Sequence, residues 1–260
     1  MKIAFVSGFY VDKDSNMSQN NIDMFQIMFD SAKKYFLKDY DVDFIFITNT
    51  DVLLNGVKNL KIEKDIVGYQ HILLMKVLCY EFVQDYDYVF VSDGDQIFVN
   101  EILKSDLLEN DFNIMRHFFK PKIKGILPNL TQFVDIKGDI ENREWTMGNF
   151  FGGKKEVFKE LYDSAKKWDQ LYRGNIQEGV GFYAKYPDEV FIVKFFNENK
   201  YDLKYLSTVV NPLESTSKYF LSSFYVDELF VEEGIKNVKV IHDTKKDINF
   251  LKEKFKKYYE

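Results

Sequence analysis

The 260-residue chain contains one cysteine, Cys79, three histidines and four prolines. A single cysteine excludes an intrachain disulfide and the cysteine clusters of zinc sites, and it favours a reducing compartment. With so few histidines, a histidine-rich metal site is not expected either. No segment approaches the roughly 20 uninterrupted apolar residues of a membrane span, and the apolar run at the start is too short for a secretory signal. We therefore expect a soluble, cytoplasmic protein.

Basic residues are outnumbered by acidic ones: the chain has 35 lysines and arginines and 41 aspartates and glutamates, which gives a net charge of −6. This balance does not suit the phosphate backbone, so nucleic acid is not an expected partner. Only the C-terminal tail, residues 252–259, is basic and aromatic; it is typical of a solvated helix and could also make a weak contact with a membrane surface. Aromatic residues are plentiful, with 26 Phe and 17 Tyr, which excludes disorder as the main state.

Strand and helix patterns alternate along the chain, which predicts an α/β fold with a mixed, mostly parallel sheet flanked by helices. Residues 120–145 carry few periodic signals and are predicted to form a long loop. The predicted strands are 2–7, 43–48, 59–63, 86–92, 112–115 and 238–241, and the predicted helices are 21–37, 69–83, 154–172 and 187–197.

An acidic tripeptide, Asp93-Gly94-Asp95, follows the hydrophobic strand 86–92. Ligands of open α/β sheets bind beyond the carboxyl ends of the strands. Two carboxylates at that place can hold a hard divalent cation, which in turn neutralises a diphosphate. The alternative is a polar strand end with two solvated aspartates, because Asp-x-Asp arises readily by chance in so acidic a chain.

Five blocks of sequence occur in the order found in one known family. They are 25–48 (FQIMFDSAKKYFLKDYDVDFIFIT), 87–98 (DYVFVSDGDQIF), 115–118 (MRHF), 148–153 (GNFFGG) and 186–189 (YPDE). With these blocks the chain resembles the ABO blood-group type of glycosyltransferases, family 6, especially its short bacterial members without a membrane anchor. Within that resemblance, block 148–153 corresponds to a glycine-rich turn.

The resemblance implies a single domain of GT-A fold over residues 1–260, with a nucleotide-binding half (1–100) and an acceptor-binding half (101–260). It implies a retaining hexosyltransferase that moves galactose or N-acetylgalactosamine from a UDP donor to a galactose-containing glycan.

The resemblance also implies roles for single residues. Asp93 and Asp95 would bind Mn²⁺ and the donor, and Glu189 would be the catalytic carboxylate beneath the sugar ring. An ionised carboxylate there suits a retaining reaction, whether it forms a covalent intermediate or an ion pair. Acids after Pro187 could instead complement a helix dipole.

The remaining donor-side candidates have structural alternatives. Met147 and Asn149 fall where family members choose between donor sugars, although Asn149 could be a turn asparagine in a left-handed conformation. Phe9 and Tyr10, after the first strand, could stack on uracil or form an aromatic pair at the edge of the core.

The acceptor side and the tail supply further candidates. His117 and Asp188 correspond to acceptor-binding positions, although His117 could instead be a packed or surface histidine. Pro187 and Val190 depart from the family's His and Ser. Lys245 and Lys246 could neutralise the departing UDP, or they could belong to an exposed, lysine-rich tail. His242 could ligate the metal, as in the glycogenin-like family 8, which is the nearest competing resemblance.

Three other functions remain open from the sequence. The first is a glycogenin-like transferase with glucose or galactose as donor, and the second is a sugar-nucleotide-binding protein without catalysis. The third, a phosphohydrolase with an Asp-x-Asp nucleophile, is disfavoured because Ile97 stands where that motif continues with Thr or Val and because the site lies in the middle of the chain.

Overall fold

The computed structural model describes residues 1–11, 19–66, 68–116, 146–177, 191–192, 195–196, 199–209, 219–224, 238–243 and 248–260. Among these, seven strands form one mixed sheet, and four strands form a smaller sheet. The strands are β1 (Lys2–Phe9), β2 (Asp41–Thr48), β3 (Lys58–Lys61), β4 (Tyr88–Ser92), β5 (Gln96–Phe98), β6 (Phe112–Arg116), β7 (Thr146–Lys154), β8 (Leu203–Leu206), β9 (Thr208–Val209), β10 (Tyr219–Phe224) and β11 (Val238–Asp243).

The large sheet has the strand order β3-β2-β1-β4-β7-β6-β8. Strands β3, β2, β1 and β4 are parallel neighbours, β7 runs antiparallel between β4 and β6, and β6 is parallel to β8. The chain moves from β1 outward through β2 and β3, then returns to place β4 on the other side of β1. The order therefore reverses between β1 and β4, and in open α/β sheets this switch point is where ligands bind.

Helices cover both faces of the large sheet, as the α/β prediction requires. They are α1 (Gln19–Tyr35), α2 (Gly68–Leu78), a 3₁₀ helix (Cys79–Phe82), α3 (Lys104–Leu107), α4 (Lys155–Gln177), α5 (Ile248–Lys254) and α6 (Lys256–Tyr259). Helix α1 packs Met28, Phe29 and Ala32 against one face, and α2 packs Leu74 and Met75 against the other. The predicted fold class is confirmed at this level: a mostly parallel mixed sheet between helices.

The core on the α1 face is built from phenylalanine rings. Phe5 and Phe36 have ring centroids 4.7 Å apart, and Phe36 in turn contacts Phe90, Phe98 and Phe150 edge-on. Edge-to-face packing of this kind adds about 0.5–1.5 kcal/mol per pair beyond the area that it buries. Phe90 and Phe98 of this layer belong to β4 and β5, the strands on either side of the acidic tripeptide.

The smaller sheet, in the order β5-β11-β10-β9, carries the end of the chain back to the acidic tripeptide. Strand β5 begins one residue after Asp95, and its Gln96 is the register partner of His242 on the antiparallel strand β11. The smaller sheet therefore brings a C-terminal histidine next to the turn between β4 and β5.

Several predicted boundaries differ from the structure. Strand β1 continues to Phe9, α2 ends at Leu78 and is followed by the 3₁₀ helix, and α4 continues to Gln177. The expected turn at 148–153 is wrong, because these residues form the interior of β7. Its glycines allow close approach to the neighbouring strands: a Cβ on Gly153 would lie 2.2 Å from the carbonyl oxygen of Asp111. The predicted loop 120–145 lies outside the described residues, as do residues 187–190 of the predicted helix, which is helical at 191–192 and 195–196.

The C-terminal tail packs on α1 as two short helices. Phe255 is fully buried and Tyr258 is 9% exposed, while Lys256 and Lys257 are exposed. A membrane-surface contact through this tail stays a prediction, and it would depend on the lysines because these two aromatic side chains face the core. Of the helices in the described parts of the chain, none has the length and apolar character needed to cross a bilayer.

Candidate functional site

A cleft of about 300 Å³ opens at the switch point, beyond the carboxyl ends of β1 and β4. Its walls come from the end of β1, from α1 and α2, and from the turn after β4. The lining residues are Gly8, Phe9, Tyr10, Met24, Phe25, Ile72, Leu73, Lys76, Asp93, Gly94 and Asp95. One aspect of the cleft is thus aromatic and the other is charged, which suits a ligand that carries both a flat ring and anionic groups.

The acidic tripeptide is held by a hydrogen-bond network beneath it. The carbonyl oxygen of Asn149 on β7 accepts hydrogen bonds from the backbone N–H of Asp93 and from the Gln96 side chain, both at 2.8 Å. The Ser92 hydroxyl donates to Gln96 Oε1 at 2.9 Å, and the Ser7 hydroxyl on β1 donates to the Ser92 carbonyl at 2.6 Å. Strands β1, β4, β5 and β7 together therefore fix where the two carboxylates point.

Gly94 lies against the ring of Phe25. A Cβ at this position would come within 2.5 Å of that ring, so a larger residue would push Phe25 into the cleft or move the turn. Phe25 itself is in edge-to-face contact with Phe9, with centroids 5.6 Å apart. Phe9 and Phe25 form the aromatic wall of the cleft. A glycine is needed at position 94 because this wall lies too close for a side chain there.

Asp93 forms an ion pair with Lys76 of α2. The ammonium Nζ lies 2.7 Å from Asp93 Oδ1 and donates a second hydrogen bond, at 3.1 Å, to the carbonyl oxygen of Gly148. Only 18% of the Lys76 side chain is exposed. Sequence reasoning missed Lys76, although a signal existed: it is the single charge within the apolar run 72–78 (ILLMKVL), and a buried lysine requires a partner.

Asp95 faces His242, with 3.4 Å between Asp95 Oδ1 and His242 Nε2. Burial lowers the pKa of His242, but the charge and hydrogen bonding of Asp95, together with the charge of Asp93, outweigh burial and raise that pKa above its ordinary value. Burial raises the pKa of Asp93; the charge of Lys76 opposes this and the charge of Asp95 adds to it, which leaves a pKa of about 6. Asp93, Asp95, His242 and Lys76 therefore form one interacting cluster.

Asn149 presents its side-chain amide from β7 while its backbone carbonyl supports the turn. The residue is 5% exposed, and neither Oδ1 nor Nδ2 has a hydrogen-bond partner among the residues that the structure describes. The left-handed conformation considered for it is wrong, because Asn149 lies within a strand and does not have a positive φ. Buried amides of this kind are normally hydrogen-bonded, and a polar group of a ligand is one partner that would satisfy Asn149.

The two aromatic candidates after β1 differ in exposure. Phe9 is partly exposed at the cleft, whereas Tyr10 is 5% exposed and folds back over Gly8, where a Cβ would meet its hydroxyl at 2.5 Å. Burial raises the pKa of Tyr10 well above its ordinary value, so the phenol stays protonated. Both residues line the cleft, but Phe9 offers the more accessible ring.

The structure does not describe the side chains of the other predicted site residues. Met147 lies on β7, and its side chain is outside the described residues. The remaining predicted residues outside them are His117, Asp188, Glu189, Lys245 and Lys246. The structure therefore assembles Phe9, Tyr10, Asp93, Asp95, Asn149 and His242 at one end of the sheet, and it adds Lys76.

The donor set at the cleft suits a divalent cation that is completed by its substrate. Within the described part of the chain, no three His, Cys, Asp or Glu side chains form a group that could hold a metal ion. Mg²⁺ and similar hard cations, however, are commonly bound by one or two carboxylates together with substrate phosphates. Asp93 and Asp95 fit that second arrangement, and His242 faces Asp95 at 3.4 Å.

No protein-family model matches the chain, and no curated protein matches it either. The family resemblance therefore rests on the five sequence blocks given above.

Proposed function

We propose that the chain is a retaining glycosyltransferase of GT-A fold that moves galactose or N-acetylgalactosamine from a UDP donor to a galactose-containing glycan. The observation that carries the proposal is the position of Asp93 and Asp95, which follow β4 at the switch point of the sheet and face the aromatic wall of the same cleft. A nucleotide-sugar has a flat base and a diphosphate, and the cleft offers aromatic rings suited to the first and charged side chains suited to the second.

In this proposal Phe9 stacks on the uracil, as aromatic side chains commonly do on bases. Asp93 and Asp95 would hold Mn²⁺, whose positive charge would offset the negative charge of the diphosphate. Lys76 supplies a further positive charge, and the amide of Asn149 hydrogen-bonds the hexose.

The reaction breaks the bond between C1 of the hexose and the phosphate oxygen, and a bond from C1 to an acceptor hydroxyl forms on the same face. The electron pair of the broken bond leaves with UDP, and the hydroxyl proton passes to the departing diphosphate. Glu189, proposed on the resemblance, stabilises the positive charge that develops on the ring. His117, Asp188, Lys245 and Lys246 stay proposed contacts to the acceptor and to the diphosphate.

A panel of UDP-sugars tests the proposal, with UDP release measured in Mn²⁺ and in chelator. We expect turnover with UDP-galactose or UDP-N-acetylgalactosamine, and its loss in chelator. D95N and E189Q should both lose turnover, and D95N should also lose metal-dependent UDP binding. D51N is the matched control, because Asp51 is an exposed carboxylate paired only with Lys61 among the contacts described. Unchanged transfer by E189Q would contradict the role of Glu189, and absence of UDP binding by the unaltered protein would contradict the proposal as a whole.

A glycogenin-like transferase is the second candidate, favoured by the contact between His242 and Asp95. In that family type a histidine joins the acidic pair at the metal. The panel separates the two proposals, because turnover with UDP-glucose together with loss of Mn²⁺ binding in H242A would favour the glycogenin-like type. Binding of a UDP-sugar without any turnover would instead indicate a sugar-nucleotide-binding protein.

A further inference from the structure

Gln96 is a buried polar residue whose side chain spans the base of the acidic tripeptide. It is the first residue of β5, directly after Asp95, and it is 1% exposed. Its amide nitrogen donates to the Asn149 carbonyl oxygen at 2.8 Å, and its Oε1 accepts the hydrogen bond of the Ser92 hydroxyl at 2.9 Å. Both ends of this buried amide are thus hydrogen-bonded, which offsets the cost of removing it from water. The side chain is therefore fixed between the end of β4 and the neighbouring strand β7.

These two hydrogen bonds hold the tripeptide at both of its ends. Ser92 directly precedes the tripeptide and Gln96 directly follows it, so the bond between their side chains joins the two ends of the turn. The Asn149 carbonyl oxygen also accepts the backbone N–H of Asp93 at 2.8 Å, so one oxygen atom holds both flanks of the turn. We call the contacts of Gln96 with Ser92 and Asn149 the Gln96 bridge. The separation of β4 and β5 at the tripeptide is thereby set by side-chain contacts as well as by strand pairing.

The rigidity of this turn bears on which cation Asp93 and Asp95 would hold. Mg²⁺ requires nearly ideal octahedral oxygen ligands at about 2.0–2.1 Å, whereas Ca²⁺ accepts flexible arrangements of oxygens at about 2.3–2.6 Å. Two carboxylates whose backbone is held from both sides cannot readily move apart to accommodate the larger ion. Fixed ligands therefore favour the smaller cation, and looser ligands weaken that preference.

We propose that Gln96 is a positioning residue that makes the acidic pair selective for small divalent cations over Ca²⁺, because its bridge fixes the two ends of the turn that carries the pair. The inference rests on the proposed function, since it takes Asp93 and Asp95 as the ligands of a divalent cation. It assigns Gln96 no contact with the ion, because both polar atoms of its side chain are used in the bridge. Cation selectivity is thus attributed to a residue behind the ligands, as the supporting hydrogen bonds of metal sites commonly tune their metal.

The test uses the whole chain with Q96M, because methionine has a similar length but forms neither hydrogen bond of the bridge. The Ser92 hydroxyl keeps the Asp93 carbonyl oxygen, 3.1 Å away, and the Asn149 carbonyl keeps the Asp93 N–H, so neither neighbour loses its last hydrogen bond. S92A is a second variant that removes only one half of the bridge. Circular dichroism verifies that each variant is folded.

N113L is the matched control. Asn113 on β6 is also fully buried, and its amide nitrogen also donates to backbone carbonyls, those of Leu107 at 2.7 Å and Gly152 at 3.2 Å. It does not line the cleft. The control therefore removes a buried, hydrogen-bonded amide without altering the turn at Asp93 and Asp95.

Two measurements follow the bridge, and neither depends on turnover. The first is displacement of Mn²⁺ by Mg²⁺ or by Ca²⁺ at saturating UDP, measured by the paramagnetic resonance of unbound Mn²⁺. The second is hydrogen exchange of the Asp93 N–H in the protein without cation or UDP. A residue needed only for the fold would lower the affinity for both competing cations by the same factor, so the ratio of the two affinities reports positioning.

In Q96M we expect the affinity for Mg²⁺ to fall about tenfold and the affinity for Ca²⁺ to fall about threefold or less. The Asp93 N–H should exchange about tenfold faster than in the unaltered protein, because Gln96 no longer holds the oxygen that accepts it. S92A should change the ratio in the same direction by a smaller factor. N113L should keep both the ratio of affinities and the exchange rate of Asp93.

An unchanged ratio of Mg²⁺ to Ca²⁺ affinity in folded Q96M, or an equal change of that ratio in N113L, would overturn the inference. The proposed function would then still stand, provided that the unaltered protein binds Mn²⁺ together with UDP. If Q96M does not fold, S92A decides in its place, and an unchanged ratio in S92A would overturn the inference. If the unaltered protein binds no Mn²⁺ in the presence of UDP, the proposed function fails and the role of Gln96 fails with it.

Discussion

Replacing Gly153 with alanine should destabilise the protein markedly, even though glycine is usually unfavourable inside a strand. An alanine Cβ would lie 2.2 Å from the carbonyl oxygen of Asp111 and 2.7 Å from Cα of Phe112. Both obstacles are backbone atoms, so no side-chain rotation can relieve them. The same carbonyl accepts the backbone hydrogen bond of Lys154 at 2.9 Å, which would have to lengthen as the strands separate.

The magnitude follows from these contacts. Overpacking of a well-packed interior costs about 1–3 kcal/mol, and a weakened hydrogen bond adds about 1 kcal/mol. We therefore expect G153A to lower the free energy of unfolding by about 2–4 kcal/mol, or Tm by about 5–15 °C for a chain of this size. Because β7 also carries Asn149, whose carbonyl supports the acidic tripeptide, ligand binding should weaken as well.

Urea unfolding followed by circular dichroism measures this effect, with G8A as the comparison. A Cβ on Gly8 would meet the tip of the Tyr10 side chain at 2.5 Å, and a side chain can rotate away. We expect G8A to cost about 1–3 kcal/mol, because the buried Tyr10 ring has to shift, but to cost less than G153A, because no backbone hydrogen bond has to lengthen; it should also change the cleft. If G153A has the same urea midpoint as the unaltered protein, or a higher midpoint than G8A, the argument from backbone contact is refuted.

Two further predictions concern the core and the C-terminal helices. Burial raises the pKa of the Cys79 thiol to about 12, and the residue is 1% exposed, so at pH 8 only about one part in 10⁴ is thiolate. A thiol reagent should label Cys79 only in denaturant; rapid labelling of the folded protein at pH 8 would contradict the burial. F255A removes a fully buried ring that packs the last two helices against α1, and should cost about 3–5 kcal/mol, or first detach those helices. Calorimetry checks this, with K257A at an exposed position as the control, and an unchanged transition in F255A would show that the tail does not contribute to the fold.

The α/β class could be predicted because it depends on local patterns. Strand β4 is a short apolar run followed by polar residues, and α1 repeats its apolar residues with helical spacing. The sequence of a single element, ten or twenty residues long, is therefore enough to predict which of its faces are buried. Asp93 and Asp95 could be singled out for the same reason, since they directly follow a buried strand. The turn that the resemblance implied for block 148–153 is wrong, because these glycines let the strand β7 lie close to its neighbours.

Other features of the site depend on contacts that no local pattern encodes. Lys76 was recognisable as an isolated charge in an apolar helix, but its pairing with Asp93 follows from the position of α2 over the end of β4. His242 reaches Asp95 because β11 pairs with β5, two strands far apart in the chain. Asn149 gains its role because β7 inserts beside β4 in the antiparallel direction.

The amino-acid sequence by itself thus determined which segments are buried, which are strands and helices, and where carboxylates follow a strand, because each of these depends on neighbours along the chain. Tertiary structure alone decided which charged groups face each other. The interaction energy between charges depends on their distance, and only the folded backbone brings the lysine, the histidine and the two aspartates within a few ångströms of one another.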